Sequence, residues 1–397
     1  MKILYSCPLD PVKLAAPGQH VASVVRELAK AGHEMTLIHQ GENLTSLQSI
    51  RQIPMRNTRR KWIGRLITDI KYAAALASLL RREKFDYVYH RTEKWTIAPL
   101  LVFRYYRLPT VIEFNADVRA ELSSIDSHWW IQSLYPFSEY IQTKLSDYIV
   151  VVSEGISKNL KANLKNTINK ISVIENGADT EIYFPRDRLE SCNTLGLDPE
   201  KRYIVFSGRF QKWQGLETLV ESAVEVVQRL PEVRFLLIGD GPMLKAIDAQ
   251  ISELNLRSRF ILPGWQPPNT LSLYLAASEI CVAPYSPLAA LNPSELKNGA
   301  SSVLMKCSPL KIFTYMAMGK PVVASGFCDG GQRLKETNTG IAFEPGNANE
   351  LSQALLTVLN DKSLSERLGK NALISAQQNH TWSKVAKDID QLFFSSK

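Results

Sequence analysis

The sequence predicts an α/β protein that contains two successive, Rossmann-like doubly wound domains. In the first half, short apolar runs alternate with helical patterns, and each run has the length of a buried strand. The alternation stops around residues 175–185, where an Asn-Gly pair and a Phe-Pro pair mark turns, and it restarts near residue 203. Alternating strands and helices are typical of parallel sheets covered by helices, so two such stretches predict two domains.

Each predicted element has its own hydrophobic pattern. The first half is predicted to contain strands over residues 3–5, 35–39, 87–89, 110–114, 148–152 and 171–174, and helices over 21–31 and 69–82. The second half is predicted to contain strands over residues 203–206, 234–238, 259–262, 280–283, 321–325 and 340–343, and helices over 216–230, 243–254 and 271–277. Further helices follow to the end of the chain.

Residues 308–325 predict a helix that leads directly into a parallel strand. Ser308 suits the N-cap, Pro309 suits the first helical position, and Gly319 suits the left-handed turn that ends a helix. The first turn of such a helix has unpaired backbone N–H groups, which favour an anion. The sequence therefore predicts a possible anion site at this helix start.

Size and composition indicate an ordinary globular protein. The chain has 397 residues, enough for two or three domains, and 45% of them are hydrophobic. The N-terminus has no signal-peptide pattern, and the apolar run over residues 72–80 is too short to span a bilayer. The five cysteines have no paired spacing, which argues against a disulfide framework and a zinc site. These features predict a cytoplasmic location.

The net charge of +8 has a local source. Between Arg51 and Lys71, seven basic residues and one acid, Asp69, are interleaved with apolar side chains. This pattern fits a solvated face, and it equally fits a patch that binds an anionic membrane surface or an anionic acceptor. Nucleic acid is disfavoured as a partner because no base-reading module accompanies the basic residues.

Two glycine loops follow predicted strands in the second half. Gly239-Asp-Gly241-Pro242 resembles the start of a dinucleotide fingerprint, but Leu244 replaces the third glycine, which argues against a dehydrogenase. Gly208-Arg209 also follows a strand, and an arginine close to a helix start suits a phosphate group. The second domain therefore has the stronger indications of phosphate binding.

Several stretches, taken in order, resemble a known family. The chain resembles the retaining glycosyltransferases of family four, which have the GT-B fold, and the resemblance covers nearly the whole chain. The stretches that carry it are Gly32-His-Glu34, Val151-Val-Ser-Glu154, Ile174-Glu-Asn-Gly-Ala-Asp179 with Phe184-Pro185, Phe206-Ser-Gly-Arg209, Trp213-Gln-Gly215, Ile238-Gly-Asp-Gly-Pro242, Gly264-Trp265 and residues 308–325. The last of these stretches is the most specific.

The resemblance implies two Rossmann-like domains that face each other across a cleft. Residues 1–183 are expected to form the acceptor domain, with the final helix at about 381–397 packing back on it, and residues 184–380 the donor domain. The implied activity is transfer of a hexosyl or N-acetylhexosaminyl group, with retention, from a nucleotide-diphosphate sugar to an acceptor hydroxyl. The acceptor is expected to be a sugar, a lipid-linked molecule or another glycoconjugate. Neither a metal nor another cofactor is expected.

The resemblance also assigns the charges at the diphosphate. Arg209 matches one member of the family's basic pair, whereas the usual lysine position is occupied by Gln214. Lys311 or Lys212 is expected to supply the missing charge, and Lys311 is preferred because it lies in the first turn of a helix. The family's two glutamates are also replaced. Thr314 stands at the second position, and the first position aligns near Lys306.

The remaining predicted site residues fall into two groups. Asn115 is expected to contact the reacting sugar, as the third catalytic candidate beside Arg209 and Lys311. The donor-binding candidates are Gly18, predicted to lie in the loop after the first strand, together with Gly208, Gly241, Trp265, Ser308, Pro309, Leu310 and Thr314. The acceptor-side candidates are His20, His90, Arg91 and Asp117.

Two other functions are compatible with these residues. A nucleotide-sugar 2-epimerase has the same fold and needs no acceptor. A catalytically impaired protein that still binds nucleotide sugars is supported by the replaced glutamates and by Gln214. Turnover combined with binding measurements on UDP-, GDP- and ADP-sugars distinguishes these functions from a transferase. If the basic patch binds lipid, the enzyme is expected to act peripherally on the inner face of the membrane.

Overall fold

The computed structural model describes residues 1–12, 15–56, 62–116, 118, 129–164, 169–286, 310–326 and 329–394. These residues form two compact units. Unit 1 contains the described residues up to Asn176 and from Trp382 onward, and unit 2 contains those from Gly177 to Thr381. The change of unit thus lies a few residues before the predicted boundary at 183/184. Residues 177–183 lie in unit 2, where the Ala178 N–H donates to the His380 carbonyl at 2.8 Å.

Unit 1 is built on a seven-stranded parallel sheet with the order β3-β2-β1-β4-β5-β6-β7. The strands are β1 Lys2–Cys7, β2 Glu34–Gln40, β3 Arg51–Met55, β4 Tyr87–Arg91, β5 Thr110–Phe114, β6 Tyr148–Val151 and β7 Ile171–Val173. Strand β3 was not predicted. It is an edge strand that contains Pro54, and proline is tolerated at an edge because it lacks only a donor that an inner strand would need.

The helices of unit 1 cover this sheet. They are α1 Ala15–Lys30, α2 Trp62–Arg82, α3 Ala98–Tyr105, α4 Trp129–Leu145, α5 Glu154–Asn163 and, from the C-terminal end of the chain, α14 Trp382–Phe394. Ser153 caps α5 by accepting a hydrogen bond from the Ile156 N–H. Helix α14 is joined to the sheet by the Tyr87 hydroxyl, which donates to the Phe393 carbonyl at 2.7 Å. Fully buried residues such as Leu4, Val88 and Ile112 form the core.

Unit 2 contains a six-stranded parallel sheet with the order β10-β9-β8-β11-β12-β13. Its strands are β8 Arg202–Ser207, β9 Val233–Ile238, β10 Phe260–Gly264, β11 Ile280–Ala283, β12 Val322–Ser325 and β13 Gly340–Phe343. Its helices are α6 Arg188–Leu195, α7 Leu216–Arg229, α8 Leu244–Glu253, α9 Pro268–Ala277, α10 Leu310–Ala317, α11 Asp329–Glu336, α12 Ala348–Asn360 and α13 Lys362–Asn379. Every strand predicted for this unit is present.

Helix α10 is fixed to the end of strand β8 by a buried tyrosine. The Tyr315 hydroxyl accepts a hydrogen bond from the Ser207 N–H at 2.8 Å and lies 3.1 Å from the Ser207 hydroxyl. Both residues are buried, and an unpaired backbone N–H at such a place costs about 1–3 kcal/mol. This contact therefore holds α10 next to the end of β8.

Candidate functional site

Both sheets have a switch point where the strand order reverses direction. In unit 1 it lies between β1 and β4, and in unit 2 it lies between β8 and β11. Open α/β sheets bind ligands beyond the carboxyl ends of the strands at such points. Arg91 ends β4, and Gly208-Arg209 follows β8, so these predicted site residues lie at the switch points.

In unit 2, the loop after β8 packs closely against the loop after β9. The Phe210 N–H donates to the Asp240 carbonyl at 2.9 Å, and the Met243 N–H donates to the Phe210 carbonyl at 3.1 Å. A Cβ atom on Gly241 would lie 2.5 Å from the Phe210 carbonyl oxygen. Gly241 is therefore required for the approach of the two loops, and its predicted contact with a donor stays a prediction.

Lys311 lies at the point where the family's lysine is replaced. It is the second residue of α10, and its Nζ donates to the Gln214 Oε1 at 2.5 Å. Gln214 is 97 positions earlier in the chain and is buried. The ammonium group of Lys311 thus reaches the end of the side chain at position 214, which is the position where the resemblance places a lysine.

Two aromatic rings flank the Lys311 ammonium group. Its Nζ lies 4.0 Å from the centre of the Phe206 ring and 5.0 Å from the centre of the Tyr285 ring. Trp213 stacks on Tyr285 with 5.7 Å between the ring centres. Cations are attracted to the faces of aromatic rings, so these contacts stabilise the ammonium group of Lys311 at this place.

The same ammonium group lies against the loop that carries Arg209. Gly208 has a φ of +146°, and a Cβ atom there would lie 2.8 Å from the Lys311 Nζ. A side chain at position 208 would therefore displace the ammonium group and strain the backbone. The Arg209 side chain is exposed. Two basic residues, the half-buried Lys311 and the exposed Arg209, thus lie at the end of the same strand, β8.

The other donor-binding candidates of unit 2 differ from one another in their exposure to solvent and in their hydrogen bonds. The Thr314 hydroxyl donates to the Leu310 carbonyl at 3.1 Å, so its oxygen retains only the capacity to accept from a ligand. Leu310 is the first residue of α10 and is half-buried. Trp265 follows β10 with 68% of its surface exposed. Ser308 and Pro309 lie outside the described residues.

In unit 1, three predicted site residues meet at one carboxylate, that of Glu113. His20 Nε2 lies 2.9 Å and 3.0 Å from its two oxygens, and Arg91 Nη1 donates to Oε1 at 3.1 Å. The Tyr89 hydroxyl donates to Oε2 at 2.5 Å, and Asn115 Nδ2 donates to Oε1. Burial by itself would raise the pKa of Glu113, but the charges and hydrogen bonds of His20, Arg91 and Tyr89 lower it to about 2. Glu113 is therefore a carboxylate at neutral pH.

Sequence reasoning missed Glu113 as a functional candidate, although a signal was present. It is the only charged residue in β5, whose five residues are all buried. Charged side chains are almost never fully buried unless they are paired, so this glutamate had to have partners. The sequence does not indicate which residues those partners are.

Gly18 was predicted to lie in a loop. It lies instead in the first turns of helix α1. A Cβ atom there would lie 2.0 Å from the Pro11 carbonyl oxygen, so the preceding segment packs directly on this glycine. The helix was predicted over residues 21–31 but begins at Ala15, because the first turn of a helix tolerates a proline such as Pro17. Asp117 lies outside the described residues.

His90 is fully buried in the core of unit 1, and its expected role on the acceptor side stays a prediction. Its Nδ1 lies 2.9 Å from the Ser6 hydroxyl, and its ring packs edge-on against Phe103 at 5.7 Å. Burial lowers the pKa of His90 from 6.5 to about 3. The imidazole is therefore neutral and part of the core near neutral pH.

Replacing His90 by asparagine is expected to make the stability less sensitive to acid. Between pH 6.5 and 3 the unfolded imidazole binds a proton and the folded one does not, so acid favours unfolding by about 1.4 kcal/mol per pH unit. Urea unfolding of both full-length proteins across this range measures the difference in slope. Equal slopes would contradict the neutral, buried state of His90.

The basic segment between Arg51 and Lys71 is only partly described. Arg51 lies on β3 and forms two hydrogen bonds to Glu83, at 2.6 Å and 2.8 Å, so its charge is compensated. Asp69 accepts from the Ala98 N–H at the start of α3. Ile67 and Ile70 on α2 are exposed. Among the described helices, none is both long enough and apolar enough to cross a membrane.

The sequence matches two family models that lie end to end. Residues 17–182 match the model described as Glycosyltransferase Family 4, and residues 187–374 match the model described as Glycosyl transferases group 1. Sulfoquinovosyl transferase SQD2 of Arabidopsis thaliana is 22% identical over 355 residues, which are 88% of this chain and 64% of that protein. The chain thus spans less than two thirds of that relative's length.

One further relative and one solved structure extend the comparison. UDP-Gal:alpha-D-GlcNAc-diphosphoundecaprenol alpha-1,3-galactosyltransferase of Escherichia coli is 24% identical over 305 residues, covering 76% of this chain and 73% of that protein. The structure of Anabaena HepE in complex with UDP superposes with a TM-score of 0.75 at 18% identity and covers 100% of both chains. This likeness confirms the predicted α/β, GT-B fold class.

Proposed function

This chain belongs to the glycosyltransferases of family 4, and we propose that it is a retaining enzyme that uses a nucleotide-diphosphate sugar as donor. The observation that carries the proposal is the contact between Lys311 Nζ and Gln214 Oε1 in unit 2. In this contact, the Lys311 ammonium group provides a cation where this sequence lacks the family's lysine. It lies beside the loop that carries Arg209. In support, HepE, which has the same fold, has been crystallised with UDP and with UDP-glucose.

The proposed reaction exchanges one bond at the anomeric carbon for another on the same face of the sugar. The bond from this carbon to the diphosphate oxygen breaks, and a bond to the acceptor oxygen forms. The acceptor's proton passes to the departing phosphate oxygen, and the nucleoside diphosphate leaves with its bonding electron pair. Arg209 and Lys311 stabilise the negative charge that develops on the diphosphate, so no metal is needed for this role.

We further assign unit 2 to the donor and unit 1 to the acceptor. The transferred group is a hexosyl or N-acetylhexosaminyl group, and the acceptor is a sugar or a lipid-linked hydroxyl. The Escherichia coli relative, whose name specifies a diphosphoundecaprenol acceptor, supports a lipid-linked one. Exposed Ile67 and Ile70, together with the exposed Lys71, support our proposal that α2 binds an anionic membrane surface and that the enzyme acts at the cytoplasmic face.

The test combines binding and turnover on the full-length protein. Calorimetry with UDP, GDP and ADP identifies the nucleotide, and release of that nucleotide from its glucose, galactose and N-acetylglucosamine conjugates is measured with and without diphosphoundecaprenol-linked N-acetylglucosamine. A transferase releases nucleotide much faster with an acceptor and forms a glycosidic bond of retained configuration. Binding without release would instead identify a non-catalytic sugar-nucleotide-binding protein, and release of an epimerised sugar without acceptor would identify a 2-epimerase.

A further inference from the structure

The buried cluster of unit 1 contains a carboxylate that the proposed chemistry does not use. Glu113 is 1% exposed, yet its two oxygens contact four side chains that arise from three places in the chain. His20 comes from α1, Tyr89 and Arg91 come from β4, and Asn115 follows β5 directly. One carboxylate thus joins two neighbouring strands and a helix.

The cluster lies at the carboxyl edge of the sheet rather than in the middle of the core. Arg91 is the last residue of β4 and Asn115 is the first after β5, so the contacts lie at the carboxyl edge of the sheet. Asn176, which follows β7, extends the cluster by a hydrogen bond of 2.8 Å to His20 Nδ1. This edge is the usual place for substrates in parallel sheets.

Stability alone gives a weak reason for such a cluster. Taking a carboxylate and a guanidinium out of water is costly, and apolar residues of similar volume often stabilise a core equally well. Among the four side chains around Glu113, Asn115 is half-buried, whereas the other three are buried. The buried charged groups of the cluster therefore hold a side chain, that of Asn115, which solvent or a substrate can reach.

The chemistry of the contact fixes the orientation of the Asn115 amide. An ionised carboxylate only accepts hydrogen bonds, so the atom of Asn115 that faces Glu113 must be the Nδ2 donor. The amide oxygen Oδ1 then remains as the group that can accept a hydrogen bond from a hydroxyl. With a neutral partner at position 113, either amide orientation would be satisfied.

We propose that Glu113 is a positioning residue that holds the Asn115 amide so that its Oδ1 accepts a hydrogen bond from a sugar hydroxyl of the substrate. This inference rests on the proposed transferase function and adds a specific role in unit 1. Tyr89, Arg91 and His20 hold the carboxylate in place through their own hydrogen bonds. The ligand class is a hydroxyl-bearing sugar, and the protein atom that meets it is an acceptor rather than a donor.

The kinetic test is a double-mutant cycle on the full-length enzyme. With the donor and acceptor that the test of the proposed function identifies, Glu113→Gln and Asn115→Ala are each expected to lower kcat about 100-fold, because a small misplacement of a positioning group has effects of this size. In the Asn115→Ala background, Glu113→Gln should have less than about a threefold further effect, because its partner is already absent. Additive effects of the two changes would overturn the proposal.

A control separates positioning from stability. Tyr72→Phe removes a buried hydroxyl in unit 1 that donates to the Ile38 carbonyl at 2.9 Å, at a place outside the cluster. It should lower the melting temperature of the enzyme without a comparable loss of kcat. Nucleotide binding by calorimetry should be unchanged in all variants. If Glu113→Gln does not fold, Glu113→Asp keeps the charge but withdraws it from Asn115, and a kcat equal to that of the wild type then overturns the proposal.

A second readout does not depend on turnover. The side-chain amide protons of Asn115, observed by NMR on protein labelled at asparagine and assigned with Asn115→Ala, should exchange slowly in the wild type and at least tenfold faster in Glu113→Gln. If the wild type shows no turnover with any sugar nucleotide, the proposed function fails while this measurement still judges the contact. Equal exchange rates in both proteins would remove the basis for positioning.

Discussion

Replacing Lys311 by glutamine is expected to lower kcat/KM for the nucleotide sugar by about 10²–10³-fold. Removing a single group that stabilises developing negative charge has effects of this size in enzymes. Lys311 has this role in our proposal because its ammonium group lies between the Phe206 and Tyr285 rings, beside Gly208. Nucleotide release under donor-limiting conditions measures the change.

A second substitution, Gln214→Lys, is expected to reverse the loss of activity in Lys311→Gln. Gln214 and Lys311 meet at 2.5 Å, and lysine is one atom longer than glutamine. In the double variant Lys311→Gln/Gln214→Lys, the ammonium group should therefore occupy nearly the same place from the opposite side. We expect this variant to recover most of the lost activity, whereas Gln214→Lys by itself places two ammonium groups in contact and lowers activity.

Lys212 provides the matched control. It is exposed and lies two residues before Gln214 in the same single turn of helix, so Lys212→Gln removes an equal charge nearby. We expect Lys212→Gln to change kcat/KM less than threefold. A large loss in Lys212→Gln together with a small loss in Lys311→Gln would transfer the role to Lys212 and contradict our assignment.

The position of Lys311 could be predicted from the sequence, but its partner could not. The sequence places Lys311 in the first turn of a helix, and local helix signals are sufficient for this because capping and periodicity act over a few residues. The partner of Lys311 is 97 positions away, and only the folding of α10 against β8 brings the two together. The resemblance to a family gave a reason to expect that Lys311 supplies the charge missing at Gln214, and the contact between the two side chains is visible only in the structure.

Strands were predicted well where they are apolar and poorly where they are not. Strands β8 and β9 are buried on both faces, so their residues form continuous hydrophobic runs. Strand β3 has the sequence RQIPM and lies at the sheet edge, where one side needs no hydrogen-bond partner. Its strand conformation depends on pairing with β2, which a local pattern cannot indicate.

The candidate site of unit 1 was recognised as separate residues rather than as a cluster. His20, Arg91 and Asn115 were selected because they lie at predicted strand ends or near a family motif. Their common partner Glu113, which lies inside strand β5, was not selected. His90 was selected on the same grounds as Arg91 but points into the core, since consecutive residues of a strand face opposite sides of the sheet.

Replacing Arg209 is expected to weaken the binding of the diphosphate without changing the binding of the nucleoside. Hydrogen bonds that involve a charged group contribute about 1.5–3 kcal/mol, so Arg209→Gln should raise the Kd for UDP roughly 10–150-fold. UDP serves as the probe because it is one of the nucleoside diphosphates in the binding test of the proposed function. Uridine has no phosphate, so its affinity should be equal in the wild type and in Arg209→Gln.

The conservative change Arg209→Lys distinguishes charge from geometry. A guanidinium group can form two parallel hydrogen bonds to a phosphate, whereas an ammonium group acts as a point charge. We therefore expect Arg209→Lys to recover only part of the affinity for UDP. Arg229→Gln serves as the control, because Arg229 is 63% exposed on α7 and pairs with Glu225 in the same helix.

The dependence of UDP affinity on salt is expected to distinguish the role of Arg209 from that of Lys311. Its side chain is exposed, so its attraction to a diphosphate is screened by added salt, whereas Lys311 acts between aromatic rings where screening is weaker. The Kd for UDP of the wild type should rise with salt more steeply than that of Arg209→Gln, and Lys311→Gln should retain most of the wild-type slope. If Arg209→Gln binds UDP as tightly as the wild type at every salt concentration, the exposed arginine does not bind the diphosphate, and Lys311 would remain as the cation that supports the proposed function.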